Sequence, residues 1–203
     1  IPFILIIAVV ALFYPPYSRW AREHVDKITA TTDHPLRCGS CHLHLQKTGI
    51  ISQLTNAEYH SPFNLTVSGD GKSLYVVAEE SNYLLVIDRE RKKLTGRIKV
   101  GNRPHSIVLD KGGKKAYISN QWSDNVSVVD LASLSVAEEL KTGNGPAGIG
   151  LSNDGQTLIV VNSYSSDISI LDLSTGAEMK RLAAGNNPTG LQTSPDGSMI
   201  YVT

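Results

Sequence analysis

From residue 61 onward, short runs of β-branched and aromatic residues alternate with Gly, Asn, Asp and Ser. In one stretch the runs read SIVL, KAYIS, NVSVVD and VAEELKT, and the segments DKGGK, NQWSD and LASLS separate them. Runs of this kind, bounded by turn residues, predict short strands joined by hairpin turns. The pattern therefore predicts four strands in each stretch of about 40 residues.

The same pattern recurs every 42 residues without an insertion. Four sets of positions keep this interval: Pro62, Pro104, Pro146 and Pro188; Gly71, Gly113, Gly155 and Gly197; Asp88, Asp130 and Asp172; and the pairs Gly101-Asn102, Gly143-Asn144 and Gly185-Asn186. Four strands per repeat are typical of one blade of a β-propeller. A single blade cannot bury both of its faces, so we expect the blades to stack around an axis. Residues 61–203 thus predict an all-β propeller with three full blades and the start of a fourth.

Several segments of these repeats resemble the YVTN-type propeller repeat. They are AYISN (Ala116–Asn120), LIVVN (Leu158–Asn162) and IYVT (Ile200–Thr203), together with SVVDL, SILDL and SPDG. The resemblance covers residues 61–203 and implies a ring of about seven or eight blades. We therefore expect further blades beyond Thr203.

The first residues, Ile1–Phe13, carry no charge. As a helix they would span roughly 20 Å, which is short of the roughly 30 Å hydrocarbon core of a membrane. Because the chain starts with Ile rather than Met, we expect upstream residues to complete the span. Aromatic residues and arginines that suit the headgroup layer follow directly: Tyr14, Tyr17, Arg19, Trp20 and Arg22.

A secretory signal peptide has an apolar region of similar length and is the alternative interpretation of this segment. No small-x-small cleavage site follows closely after Phe13. We therefore favour a retained membrane anchor at residues 1–20. Either interpretation sends the rest of the chain across a membrane, to the periplasmic face of the cytoplasmic membrane.

The overall charge is balanced, with 19 basic and 19 acidic residues. This balance argues against a nucleic-acid partner, which requires an excess of positive charge. The most highly charged segment is Asp88–Lys99 (DRERKKLTGRIK). Because its signs are mixed, we interpret it as the solvated outer edge of a sheet.

Between the anchor and the propeller, residues 21–60 contain both cysteines of the chain, in the motif Cys38-Gly39-Ser40-Cys41-His42. The C-x-x-C-H spacing indicates covalent attachment of a c-type haem. The two thiols would add to the haem vinyl groups, and His42 would be the proximal iron ligand. We therefore expect one covalently attached haem c, bound by a short segment.

Three other uses of this motif compete with haem attachment. A disulfide between Cys38 and Cys41 would close a very small loop and stabilise little. A thioredoxin-like redox pair expects a βαβ context, which the pattern does not predict. A zinc site would need two histidines besides the cysteines, drawn from His34, His42, His44 and His60. Export and the lack of further cysteines favour haem.

The sixth iron ligand is less well defined by the sequence. His60 is the leading candidate because it follows His42 by 18 residues, at the start of the first blade. His34 is the alternative, although its position four residues before Cys38 makes a return to the opposite haem face sterically tight. An open position or a ligand from another chain is also possible. Both methionines, Met179 and Met199, lie within the propeller repeats.

One propeller position stands out in the second repeat. Directly after the repeated proline stands His105, where the other repeats have Phe63, Ala147 and Thr189. It could act as a ligand in the central channel, but we favour an ordinary polar residue at the start of a strand.

The sequence favours an electron-transfer role over two alternatives. A covalent haem beside a membrane anchor would relay electrons between a membrane complex, respiratory or photosynthetic, and a redox partner protein, with the propeller as docking or structural platform. The second hypothesis is a haem enzyme, a reductase or peroxidase with further cofactors outside these residues. The third is a non-redox propeller binding subunit. No paired-carboxylate, Ser/His/Asp or phosphate-loop pattern supports a hydrolase or nucleotide enzyme.

Overall fold

The computed structural model describes residues 61–194 and 199–203. In these residues the chain forms three four-stranded antiparallel sheets and one two-stranded sheet. Blade 1 contains β1 (Pro62–Val67), β2 (Ser73–Ala78), β3 (Tyr83–Asp88) and β4 (Lys93–Lys99). Blade 2 contains β5 (Pro104–Leu109), β6 (Lys115–Asn120), β7 (Asn125–Asp130) and β8 (Ser135–Lys141). Blade 3 contains β9 (Pro146–Leu151), β10 (Thr157–Asn162), β11 (Asp167–Asp172) and β12 (Glu178–Ala183). The last sheet pairs β13 (Leu191–Thr193) with β14 (Ile200–Val202).

The predicted strand pattern is confirmed in these sheets. The four runs of the second repeat correspond to β5–β8, and each four-stranded sheet keeps the order of its strands along the chain. A register shift interrupts the pairing of the first two strands at the same place in every blade, directly after Pro62, Pro104 and Pro146. Such bulges increase the twist of a sheet. The repeated prolines therefore mark a repeated bend in the first strand.

The hydrophobic core lies between the blades. Residues of blade 1, such as Val77, Leu84 and Ile98, pack against Ile118 and Val129 of blade 2. A second cluster joins the opposite face of blade 2 to blade 3. Blade 2 thus buries both of its faces against the two neighbouring sheets, as expected for stacked blades.

Two sides of this stack carry different loops. We call the upper face the side on which the second strand of each blade ends and on which consecutive blades are joined. Its loops are 79–82, 121–124 and 163–166, and its connections are 100–103, 142–145 and 184–190. The first strands of neighbouring blades lie side by side, since Asn64 Nδ2 lies 3.4 Å from Ser106 Oγ.

The predicted anchor, residues 1–20, and the predicted haem-binding segment, residues 21–60, lie outside the described residues. Within the part of the chain that the structure describes, no helix has the length and apolar character needed to cross a membrane.

Candidate functional site

The residues predicted to bind haem lie outside the described part of the chain. These are Cys38, Cys41 and His42, with His60 and the alternative His34 as distal ligands. The two methionines, whose place in the propeller repeats argues against a role as iron ligands, are both exposed: Met179 lies in β12 and Met199 lies just before β14.

His105, the position that stands out in the second repeat, is partly buried near the start of β5. Its ring centroid lies 4.6 Å from that of Phe63 in the neighbouring first strand, and its Nδ1 lies 3.2 Å from Ser106 Oγ. Burial lowers the pKa of His105 below its ordinary value, while the carboxylate of Glu79 acts in the opposite direction. Neutral histidine is therefore the favoured form at neutral pH.

Beside His105, the junction of blades 1 and 2 holds a stack of three side chains that the sequence did not reveal. Glu79 is only 8% exposed, and its Oε1 accepts a hydrogen bond of 2.7 Å from Nε of Arg103. The guanidinium of Arg103 lies 4.8 Å from the ring centroid of Trp122. Such a cation–π contact holds the indole in place, although Trp122 itself is 63% exposed.

The equivalent place in blade 3 carries a second exposed aromatic ring. Tyr164 is 57% exposed and packs against Gly145. A Cβ atom on Gly145 would lie 2.5 Å from Cγ of Tyr164, and the residue has a φ of 67°. Both the close approach of the tyrosine ring and the positive φ therefore favour glycine at position 145. Tyr164 and Trp122 occupy the same repeat position, which in blade 1 is Glu80.

The backbone beneath these rings is fixed by side chains of the preceding blade. Asn82 Oδ1 accepts a hydrogen bond of 2.8 Å from the amide of Arg103, and Asp124 Oδ1 accepts one of 2.8 Å from the amide of Gly145. The exposed rings therefore stand on ordered loops. Aromatic side chains held in this way make good anchors for a protein partner, because little conformational entropy is lost on binding.

A bound metal ion needs several ligand side chains placed close together. In residues 61–194 and 199–203, no group of three His, Cys, Asp or Glu side chains is placed to hold a metal ion. The charge of Arg103 is already balanced by Glu79. Among the described residues, the upper face thus presents the exposed rings of Trp122 and Tyr164 and no cluster of metal ligands.

Comparison with known proteins gives a fold and no family. No protein-family model matches the chain, and neither does any curated protein. A chain of hydrazine synthase from Kuenenia stuttgartiensis aligns with 72% of this chain at 27% identity and a TM-score of 0.66. A protein of unknown function from Desulfotomaculum acetoxidans aligns with 72% at 18% identity and a TM-score of 0.63.

The aligned regions make up 44% and 50% of those two chains, so this chain spans half of their length or less. Together with the repeated four-stranded sheets, these likenesses show that the described part of the chain has a β-propeller-like fold.

Proposed function

We propose that this chain is a membrane-anchored c-type cytochrome that relays electrons on the periplasmic face of the cytoplasmic membrane. The observation that carries the proposal is the C-x-x-C-H motif at Cys38, Cys41 and His42. The donor set fits a haem c, because two thiols and one imidazole supply both thioether bonds and one axial ligand. When bound, haem c supplies reversible one-electron transfer.

In this proposal the chain is organised in three parts. Residues 1–20 anchor it in the lipid, residues 21–60 carry the haem, and residues 61–203 belong to a YVTN-type propeller with further blades. His60 is the proposed distal ligand and His34 the alternative. The 18 residues between His42 and Ser61 are too few for a full cytochrome domain, so the haem rests against the propeller, the membrane helix or a partner subunit.

The upper face supports this platform role. Trp122 and Tyr164 project from ordered loops of neighbouring blades, and the fold does not demand them, since blade 1 carries Glu80 at their position. Exposed aromatic anchors on ordered backbone favour a lasting contact with a protein subunit. We propose that the membrane complex contacts the propeller at this face.

A second candidate is a propeller subunit of an enzyme. The 27% identity with a chain of hydrazine synthase over 72% of this chain favours it. In that case further cofactors, in other parts of the protein or in other subunits, would carry out the reaction, and this chain would contribute its haem as an electron relay.

Pyridine haemochrome analysis of the full chain, matured with a cytochrome c assembly system, tests the proposal. We expect a c-type spectrum with one haem per chain, and complete loss of covalent haem in Cys38→Ala/Cys41→Ala, which removes both thiols. His44→Ala is the matched control, because it changes the same segment without touching the motif. A zinc-containing chain without haem would contradict the proposal. A change to a high-spin spectrum in His60→Ala, but not in His34→Ala, would identify the distal ligand.

A further inference from the structure

The outer edge of blade 1 carries a cluster of exposed basic side chains. Three lie in the turn between β3 and β4, and three lie in β4, the edge strand of the sheet. All six are exposed to solvent, and we call them the basic edge: Arg89, Arg91, Lys92, Lys93, Arg97 and Lys99.

The acidic residues of the same segment do not cancel this charge. Only Asp88 and Glu90 accompany the six bases. Asp88 is used within its own turn, where it accepts hydrogen bonds from the amide and the guanidinium of Arg91 at 2.8 and 2.7 Å. The segment that carries the basic edge therefore holds six basic residues against two acidic ones, although the whole chain is neutral.

The repeat shows that the fold does not require these bases. In blades 2 and 3 the corresponding turns, 131–134 and 173–176, contain no charged residue. The edge strand β8 carries Glu138 and Glu139 beside Lys141, and β12 carries Glu178 beside Lys180 and Arg181. Protection of an open sheet edge would apply equally to all three blades. Edge protection explains why such strands carry charge, but it does not explain why the charge of blade 1 is mainly positive.

The chemistry of the basic edge fits a carboxylate-rich protein surface. Alternate residues of a strand are roughly 7 Å apart, so the bases of β4 form a row rather than a point. The arginines provide planar donor pairs that match carboxylates. No large apolar side chain is exposed in β3, β4 or their turn, so this surface lacks the apolar component with which amphipathic segments enter a bilayer.

We propose that the basic edge is the docking site of an acidic protein. That this protein is the transient redox partner of the haem rests on the function proposed above, whereas the docking itself does not. Small contact areas steered by charge are typical of short-lived complexes. The basic edge therefore differs from the aromatic upper face, which favours a lasting contact.

Binding of an acidic flavodoxin to the full chain in neutral detergent, measured by titration calorimetry at low salt, tests the docking site. Lys92→Glu/Lys93→Glu reverses two charges of the basic edge. Lys114→Glu/Lys115→Glu reverses two exposed charges in blade 2 and changes the net charge equally. We expect Kd to rise about tenfold or more in the first variant and less than about twofold in the second. The wild-type affinity should fall as salt is added.

Equal loss of affinity in both variants would overturn the proposal, as would the absence of flavodoxin binding at low salt. Protection of Lys92 and Lys93 from amine labelling in anionic nanodiscs, but not in neutral ones, would assign the basic edge to the membrane instead. Because the readout is binding, a chain that docks flavodoxin through the basic edge but carries no haem would support the docking site and contradict the proposed function.

Discussion

Gly101 lies directly against the buried side chain of Asn120: a Cβ atom on the glycine would be 2.6 Å from Cγ of the asparagine. Gly143 and Asn162 repeat the contact in blade 3, where a Cβ atom on the glycine would lie 2.6 Å from Asn162 Nδ2. Both asparagines are fully buried. The connection into each of these blades is thus packed against the last residue of that blade's second strand.

This contact predicts that Gly101→Ala destabilises the protein by about 1–3 kcal/mol, because a methyl group cannot enter without moving a packed amide. Guanidinium denaturation of the full chain measures the change. Gly185→Ala is the control, since its Cβ would meet no atom within 4 Å. Equal stability of the two variants would show that Asn120 moves aside at little cost.

Asn120 also ties the second strand of blade 2 to the third. Its Nδ2 donates to Asn125 Oδ1 and to Ser127 Oγ, each at 2.8 Å. Asn120→Ala leaves both acceptors without this donor, and we expect a loss of about 1–3 kcal/mol of unfolding free energy. A double-mutant cycle with Ser127→Ala should show a coupling of at least about 0.5 kcal/mol. Strictly additive effects would mean that the hydrogen bond contributes nothing to stability.

The repeated prolines, glycines and aspartates made the architecture predictable. A fixed interval in the sequence becomes a fixed interval between strands, because every repeat occupies the same environment between two neighbours. The period therefore predicts the strand pattern of β5–β8 from the sequence alone.

The stack of Glu79, Arg103 and Trp122 could not be predicted in the same way. It joins residues of two blades whose loops meet only after the blades have packed, and its members do not recur in the other repeats. One signal was present in the sequence. The same repeat position is aromatic in blades 2 and 3, as Trp122 and Tyr164, but is Glu80 in blade 1. Departure from a repeat, rather than the repeat itself, marks the surfaces to which we assign function.

The ion pair of Arg103 and Glu79 can be replaced by the uncharged residues that stand at the same repeat positions in the next blade. The equivalent residues there are Gly145 and Gln121. Arg103→Gly alone leaves the buried Glu79 carboxylate without its partner, and we expect a loss of about 1–2 kcal/mol, given the partial exposure of the arginine. Adding Glu79→Gln should restore most of that loss.

Thermal and denaturant unfolding of the two variants measure this difference. Arg103 has a φ of 52°, so glycine also removes backbone strain there. A double variant as unstable as Arg103→Gly would show that the arginine acts through Trp122 and not through the carboxylate.

His105 makes the stability of blade 2 sensitive to mild acid. Burial lowers the pKa of His105 in the folded protein, against the charge of Glu79 and together with that of Arg103. A lowered pKa means that folding favours the neutral ring. The contribution of the neutral ring to the unfolding free energy is complete above the ordinary value of 6.5 and is lost as the pH falls below that value towards the folded pKa.

His105→Phe, which copies Phe63 of blade 1, should therefore lose less stability than the wild type between about pH 7.5 and 5.5. The other five histidines are present in both proteins, so the difference in how unfolding free energy depends on pH reports on His105. Urea titrations at the two pH values give the unfolding free energy of each protein. If the wild type and His105→Phe lose the same unfolding free energy, the ring is protonated as easily in the folded chain as in the unfolded one.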